Sequence, residues 1–162
     1  MKILFIQTGG TIDKDYPKQI SGYAFEIGEP AVKRVLERIN PPFDYEILTL
    51  IQKDSTELTD DDRQKIYEVC ANSKEDNIII THGTDTMLET AKFISPIKNK
   101  TIILTGSFKP EMFTHSDAEF NLGTAVGAIN FAEAGVYIAM KGRVFCHDRI
   151  RRDLLTGKFL AK

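Results

Sequence analysis

The chain has 162 residues, 42% hydrophobic and 27% charged, a composition that excludes a disordered protein and fits one globular domain over residues 1–162. Its net charge of −2, from 21 basic and 23 acidic side chains, gives no reason to expect nucleic acid or a membrane surface as a partner. The only cysteines, Cys70 and Cys146, are too few for a disulfide framework and favour a cytoplasmic location.

Five short apolar runs predict the strands of one sheet. They are residues 2–7, 45–50, 77–81, 101–105 and 136–140. At least three of them are apolar without alternation, which is typical of strands that are covered on both faces. With helical segments between them, they predict an α/β fold, in which an open, mostly parallel sheet lies between helix layers in a flavodoxin- or Rossmann-like three-layer sandwich.

The segments between the strands have helical spacing. One helix would bury the face formed by Val32, Val35, Leu36 and Ile39. Thr59 precedes three aspartates and predicts the start of the next helix. The segments 86–89 and 116–119 each fit a capping box at a helix start. The last segment, residues 141–162, is rich in charge, and we expect it to pack on the surface or on a partner subunit.

Hydroxyls, glycines and acids follow the first four predicted strands, at residues 8–11, 54–56, 82–86 and 105–107. If the sheet is parallel, the carboxyl ends of its strands lie on one edge, where open α/β sheets bind ligands. The four loops would then form one crevice. The long polar segment from Asp13 to Gly28, with Gly22 as a hinge, suits a lid over that crevice.

Each loop also has a structural interpretation. The Gly-Gly turn could be only a tight turn or a phosphate cradle, but neither GxGxxG nor GxxxxGKS/T is present. Thr86 fits a helix cap better than a catalyst, whereas Thr84 and Asp85 fit either role equally well. Ser55 and Thr56, taken singly, fit loop residues that satisfy backbone groups.

No histidine-based site is recognisable. His82, His115 and His147 lack the spacing of metal ligands, and no Ser-His-Asp or Cys-His order can be identified. The remaining possibility is hydroxyl chemistry without histidine. A threonine hydroxyl is a poor nucleophile and needs a neighbouring base or cation to activate it.

Two motifs carry a family resemblance. Residues 8–12 (TGGTI) and 81–86 (THGTDT) resemble the signature motifs of the bacterial-type L-asparaginases, and weaker similarity extends through residues 54–58, 104–107 and 116–122. The chain resembles only the N-terminal domain of the usual two-domain member. The resemblance implies a short, single-domain amidohydrolase that converts L-asparagine to L-aspartate and ammonia.

The resemblance also implies the catalytic residues. Thr11 would attack the amide and form an acyl-enzyme, supported by Tyr23 on the flap, with Tyr16 as the alternative position for that tyrosine. Thr84, Asp85 and Arg152 would form the second catalytic group. The family has a lysine where this chain has Arg152; in a shifted register the lysine would instead be Lys141 or Lys158.

The expected substrate contacts lie in the same loops. Ser55, with Thr56 beside it, would hold the substrate α-carboxylate, and Asp85 its α-amino group. Gly10 and Gly83 would let the backbone approach a small substrate closely. The resemblance implies no metal and no organic cofactor, and it implies a homodimer or homotetramer.

Two alternatives remain open. The first is a catalytically weak or inactive module that binds asparagine or aspartate, which Arg152 in place of the family lysine would indicate. The second is a hydrolase of another small amide. Two further classes on related folds are disfavoured: an amidotransferase subunit, because no partner-binding segment is identifiable, and a flavin-binding domain, because the third loop carries Asp85.

Overall fold

A computed structural model describes residues 1–18 and 24–162. Its elements in chain order are β1 (Lys2–Gly9), β2 (Lys14–Asp15), β3 (Glu26–Ile27), α1 (Ala31–Ile39), β4 (Asp44–Lys53), α2 (Asp60–Asn72), β5 (Asn77–Thr81), α3 (Met87–Ile94), β6 (Thr101–Thr105), α4 (Ala118–Ile129), β7 (Gly135–Met140), β8 (Arg143–Cys146), β9 (Ile150–Arg152) and β10 (Phe159–Ala161). Short 3-10 turns lie at Thr11–Asp13 and Ser55–Glu57. No helix in the described ranges is long and apolar enough to cross a membrane.

The central sheet has six strands in the order β4-β1-β5-β6-β7-β8. The five predicted strands are its parallel part, and β8 is added antiparallel to β7. The chain runs from β1 to the edge strand β4 and returns to β5 on the other side of β1, so the strand order reverses between β1 and β5. This order is the flavodoxin-like one, and the predicted α/β fold class is confirmed.

The sheet is covered on both faces, because successive strand residues point to opposite sides. In β1, Leu4 and Ile6 pack with α2, α3 and the C-terminal strands. Ile3 and Phe5 pack on the other side, with α1 and α4. This burial explains the continuous isoleucine run of β5, which would otherwise alternate with polar residues.

The helix starts differ in how they are capped. The hydroxyl oxygen of Thr59 accepts from the backbone N–H of Asp62, and the Asp62 carboxylate accepts from the backbone N–H of Thr59, so the predicted start of α2 is confirmed. The predicted capping box at Thr86 is wrong. The Thr86 hydroxyl donates instead to the carbonyl oxygen of Ser55, at 2.7 Å.

The capping box predicted for residues 116–119 is also wrong, because α4 begins at Ala118 with Asp117 as its N-cap residue. The Asp117 carboxylate accepts from the backbone N–H groups of Phe108 and Lys109, in the loop that follows β6. The carboxylate of the N-cap residue thus makes a tertiary contact instead of a cap hydrogen bond, while the Ser116 hydroxyl accepts from the backbone N–H of Ala118. At the end of α1, the predicted apolar residue Ile39 is 62% exposed, whereas the rest of that face is buried.

The charged segment 141–162 is more closely joined to the core than its composition suggests. It adds β8 to the sheet and forms a separate hairpin from β9 and β10. Three of its apolar residues, Phe145, Ile150 and Phe159, belong to the same core cluster as the buried residues of α3. These three residues depart from the expected packing on the surface, whereas Leu154 and Leu155 are 92% and 97% exposed. Packing of the segment on a partner subunit stays a prediction.

Candidate active site

Three loops meet where the strand order reverses. Gly10 follows β1 with a φ of 85°, and a Cβ at this position would lie 2.3 Å from the backbone nitrogen of Gly83 in the loop after β5. A Cβ at Gly83 would in turn lie 2.5 Å from the hydroxyl of Ser55 in the loop after β4. Glycine lets the backbone of Gly10 stack on that of Gly83 and lets Gly83 pack on the Ser55 side chain, so the convergence of three of the four predicted loops is confirmed.

Thr11 opens the 3-10 turn that follows Gly10. The backbone N–H of Gly10 donates to the carbonyl of Lys53 at 3.0 Å, which ties the turn to the end of β4. The backbone N–H of Glu111 donates to the carbonyl of Ile12 at 3.1 Å, which ties it to the loop after β6. Thr11 is partly buried, and its backbone is held from both sides.

The neighbouring hydroxyls of Ser55 and Thr56 have different surroundings. Ser55 is 1% exposed, and its hydroxyl has no hydrogen-bond partner among the described residues. Thr56 is exposed and donates its hydroxyl hydrogen to the Asp54 carboxylate at 3.0 Å. Because an unsatisfied buried hydroxyl costs about 1–3 kcal/mol, Ser55 is the better candidate for a ligand contact.

Asp54 anchors this loop. Its carboxylate accepts from the backbone N–H of Thr56 and from the ammonium of Lys14, which lies 2.8 Å away. The hydrogen bond from Lys14 is the largest of the effects that lower the pKa of Asp54. The pair connects the segment after the Thr11 turn to the Ser55 turn.

The loop after β5 contains one structural and two candidate functional residues. His82 is fully buried, its Nδ1 lies 2.7 Å from the carbonyl of Gly83 and its Nε2 lies 2.8 Å from the hydroxyl of Thr90. Burial lowers the pKa of His82 to about 4, so the ring is neutral and structural. Thr84 is 8% exposed, whereas Asp85 is exposed at the surface of the crevice.

Arg152 reaches this loop from β9. Its Nη1 donates to Asp85 Oδ1 at 2.7 Å, and its guanidinium lies 6.0 Å from the ring centre of Phe159. The Arg152 side chain is 19% exposed, and its Nε is buried without a partner among the described residues. Lys141, an alternative from the shifted register, pairs instead with Asp117 at 3.0 Å. Lys158, the other alternative, is exposed.

The proposed lid begins with a buried residue. Asp13 is 1% exposed, its carboxylate accepts from the backbone N–H of Ala31 at 2.7 Å, and its carbonyl accepts from the backbone N–H of Gly28 at 2.9 Å. Burial raises the pKa of Asp13 to about 7. The base of the segment is further closed by the pairing of β2 with β3. The only sequence signal for this role is the position of Asp13 directly after the TGGTI motif.

The structure describes one of the two candidate tyrosines. Tyr23, with the hinge candidate Gly22, lies outside the described residues. Tyr16 is 71% exposed, packs edge-to-face on Phe25 and stacks on Phe113, at ring-centre distances of 5.3 and 6.0 Å. Tyr16 therefore belongs to an aromatic cluster that joins the proposed lid to Phe113.

A group of three side chains with potential metal-ligand atoms lies outside the loops that carry Thr11, Ser55 and Asp85. Cys146, His147 and Asp148 place donor atoms within 4.8 Å of one another in the turn after β8. The sulfur of Cys146 lies 3.8 Å from Nδ1 of His147. The amine of Lys162 donates to the carbonyl oxygen of Asp148, so the group has a cation beside it.

Comparison with known proteins identifies the family. A sequence model of the family "Asparaginase, N-terminal" matches residues 2–154. The chain is 31% identical to the L-asparaginase of Thermococcus kodakarensis over 94% of its length, and 27% identical to the glutaminase-asparaginase of Acinetobacter glutaminasificans over 96%. These alignments cover 48% and 49% of the two relatives, so the chain spans about half the length of the curated relatives it matches.

Solved structures of L-asparaginases superimpose on almost the whole chain. The thermostable L-asparaginase of Thermococcus kodakarensis superimposes on 99% of this chain with a TM-score of 0.84 and 28% identity, over 51% of its own length. L-asparaginase I of Vibrio cholerae superimposes on 99% of this chain with a TM-score of 0.82 and 27% identity, also over 51% of its length.

Proposed function

Because the chain belongs to the asparaginase family, matching its N-terminal domain, we propose that it hydrolyses the side-chain amide of L-asparagine to L-aspartate and ammonia. The observation that carries the proposal is the contact of three loops at the reversal of the strand order, where Gly10 packs on Gly83 and Gly83 on Ser55. This contact gathers the family motifs at the place where open α/β sheets bind ligands.

In the proposed reaction, the hydroxyl oxygen of Thr11 attacks the amide carbonyl carbon and its proton passes to a neighbouring base. The tetrahedral intermediate collapses, the carbon–nitrogen bond breaks and ammonia leaves with that proton. A water molecule then attacks the resulting ester, and aspartate is released as the Thr11 hydroxyl is restored. Backbone N–H groups of the glycine-rich loops would stabilise the oxyanion, an effect of about 10²–10³ in rate per donor.

The substrate is bound by the loops opposite Thr11. Ser55 donates its free hydroxyl to the α-carboxylate, with Thr56 beside it and the backbone of Gly10 and Gly83 forming the floor. Asp85 faces the α-amino group. The buried, unpaired state of the Ser55 hydroxyl supports this role, because an incoming carboxylate would satisfy it.

Thr84 and Asp85 form the second catalytic group with Arg152. The hydrogen bond of 2.7 Å from Arg152 to Asp85 supports the assignment of Arg152 to the position of the family lysine. A guanidinium stays charged at all accessible pH values and cannot accept a proton. Arg152 therefore acts through its charge. We expect Tyr23, in the predicted lid segment, to support Thr11.

The assembly and location are further parts of the proposal. We propose a homodimer or homotetramer, and gel filtration that gives only the monomer mass of 18.3 kDa would contradict it. A cytoplasmic location is supported by the two cysteines, Cys70 and Cys146, which are both free.

Ammonia release from L-asparagine tests the proposed function. Purified protein is compared with Thr11→Ala, which removes the hydroxyl, and with Thr11→Ser, which keeps a hydroxyl in the same place. We expect release by the unmodified chain, loss in Thr11→Ala and partial activity in Thr11→Ser. Equal release by Thr11→Ala and the unmodified chain would contradict the proposal.

A second candidate function is a module that binds asparagine or aspartate without hydrolysing it. The observation that favours it is Arg152, which cannot serve as a proton acceptor beside Asp85. Calorimetric binding of asparagine without ammonia release, unchanged by Thr11→Ala, would identify this function.

A further inference from the structure

The turn between β8 and β9 brings three different metal-ligand types together. One donor atom from each of Cys146, His147 and Asp148 lies within 4.8 Å of the other two. The sulfur of Cys146 is 3.8 Å from Nδ1 of His147. Zinc bonds of about 2.3 Å to sulfur and about 2.0 Å to nitrogen place two tetrahedral ligands about 3.5 Å apart. The sulfur and the nitrogen therefore have almost the separation that a shared zinc ion requires.

The backbone of this turn is held in place by hydrogen bonds. The backbone N–H of Arg149 donates to the carbonyl of Cys146, and that of His147 donates to the carbonyl of Val136, each at 3.0 Å. The backbone N–H of Lys162 donates to the carbonyl of Arg149 at 3.1 Å. Because the turn is already ordered, a bound ion would lose little free energy to ordering its ligands.

The three donor atoms have only weak competitors. Nδ1 of His147 lies 3.3 Å from the carbonyl oxygen of Val136, which is longer than an ordinary N–H···O hydrogen bond. The amine of Lys162 binds the main-chain carbonyl of Asp148 and not its carboxylate. A hydrogen bond with the Cys146 thiol lowers the pKa of Asp148, so this carboxylate is ionised. Burial raises the pKa of Cys146, but a metal ion that binds a thiol displaces its proton.

We propose that this turn binds a divalent transition-metal ion such as Zn²⁺ through Cys146, His147 and Asp148. Thiolate and imidazole ligands select such ions over Mg²⁺ and Ca²⁺, which prefer oxygen. As the sulfur–metal bond forms, the thiol proton leaves to solvent, and a water molecule takes the fourth tetrahedral position. His147 and Asp148 also line an open cavity of about 540 Å³, through which a hydrated ion can approach.

The neighbouring cations oppose binding only weakly. Arg149 and Lys162 lie beside the turn, and both are exposed, so water and salt screen their charges. A thiolate and a carboxylate together balance the two charges of the ion.

Co²⁺ is the probe for the test, because Zn²⁺ has a filled d shell and gives no visible spectrum. The reduced chain is treated with a chelator, passed through a desalting column and titrated with Co²⁺. We expect a thiolate-to-cobalt charge-transfer band that saturates at one ion per chain and disappears on addition of Zn²⁺ but not of Mg²⁺. Cys146→Ala should abolish the band. Cys70→Ala is the matched control, because Cys70 is the other free cysteine and lies in the core, so the band should remain.

Asp148→Ala tests the third ligand at an exposed position, where the fold should tolerate the change. Groups that merely support a metal ligand change affinity by about 10–100-fold, so the loss of a ligand should weaken Zn²⁺ binding at least about tenfold. Competition of Zn²⁺ with Co²⁺ measures this change, and urea denaturation confirms that each variant is folded.

Several results would overturn the proposal. They are the absence of a charge-transfer band from the unmodified chain, a band that survives Cys146→Ala, and a Zn²⁺ affinity unchanged by Asp148→Ala. If Cys146→Ala does not fold, the Asp148→Ala comparison decides. None of these readouts depends on ammonia release, so the outcome is independent of the proposed amide hydrolysis.

Discussion

The hydroxyl of Thr86 donates to the carbonyl oxygen of Ser55 at 2.7 Å and thereby joins the start of α3 to the loop after β4. The bond leaves the Ser55 hydroxyl uninvolved, so that group remains available to a ligand. A residue whose sequence context predicts a helix cap instead fixes the position of a candidate binding residue.

Thr86→Val removes this hydrogen bond and preserves the shape of the side chain. We expect KM for the amide substrate to rise several-fold, because the Ser55 loop loses an anchor, and stability to fall by about 1 kcal/mol. Thr124→Val is the matched control, since Thr124 makes a similar bond to the carbonyl of Phe120 on α4. The same rise in KM in both variants would contradict a positional role for Thr86.

Gly10→Ala places a methyl group 2.3 Å from the backbone nitrogen of Gly83, at a φ of 85°. We expect loss of activity and a lower midpoint of urea denaturation, because the backbones at residues 10 and 83 cannot separate without disrupting the contact between their loops. Gly123→Ala is the control, since nothing lies within 4 Å of the position on α4, and helix propensity should raise its stability by about 0.5–1 kcal/mol. A Gly10→Ala protein with full activity would show that the loops are not in this contact.

Asp13→Asn should change the pH dependence of stability. Burial raises the pKa of Asp13 from 3.8 to about 7, so the folded chain binds this proton more tightly than the unfolded chain. The contribution of Asp13 is therefore most favourable below about pH 4 and is lost as the pH rises toward about 7. An asparagine can still accept from the backbone N–H of Ala31 but does not ionise.

Urea denaturation at pH 5 and pH 8 measures this effect as the difference between Asp13→Asn and the unmodified chain. We expect the variant to gain stability relative to the unmodified chain at pH 8, by a few kcal/mol at most. A relative stability that does not change between the two pH values would show that Asp13 titrates normally.

Arg152→Lys introduces the residue type that the family has at this position. A lysine beside Asp85 can exchange a proton, whereas the guanidinium cannot, so we expect kcat to rise at least roughly tenfold at alkaline pH. Steady-state ammonia release between pH 7 and pH 9 checks the prediction, with Arg151→Lys as the control. An unchanged pH profile would indicate that the site works through the fixed charge of Arg152.

The sequence predicts the parts of the site that depend on local pattern. The parallel strands follow from their apolar runs, and the convergence of the loops that carry Thr11, Ser55 and Asp85 follows from the parallel sheet. Gly10 and Gly83 are recognisable from their motifs, although their main visible effect is to let the loops stack rather than to admit a ligand.

Other features depend on tertiary contacts that no local pattern contains. The burial of Asp13 requires α1 to begin at its carboxylate, and the contact of Arg152 with Asp85 requires the hairpin of β9 and β10, whose strands have three residues each. The capping box expected at Thr86 failed because the carbonyl of Ser55 competes for the same hydroxyl.

The most direct test of Thr11 as the nucleophile is to trap the acyl-enzyme. The chain is mixed with L-asparagine, quenched in acid within the first turnovers, digested and mapped by mass spectrometry. We predict an aspartyl ester on the peptide that contains Thr11, absent from Thr11→Ala. Turnover in which the ester is found on the peptide containing Thr84 instead, or in which Thr11→Ala still forms it, would contradict the assignment.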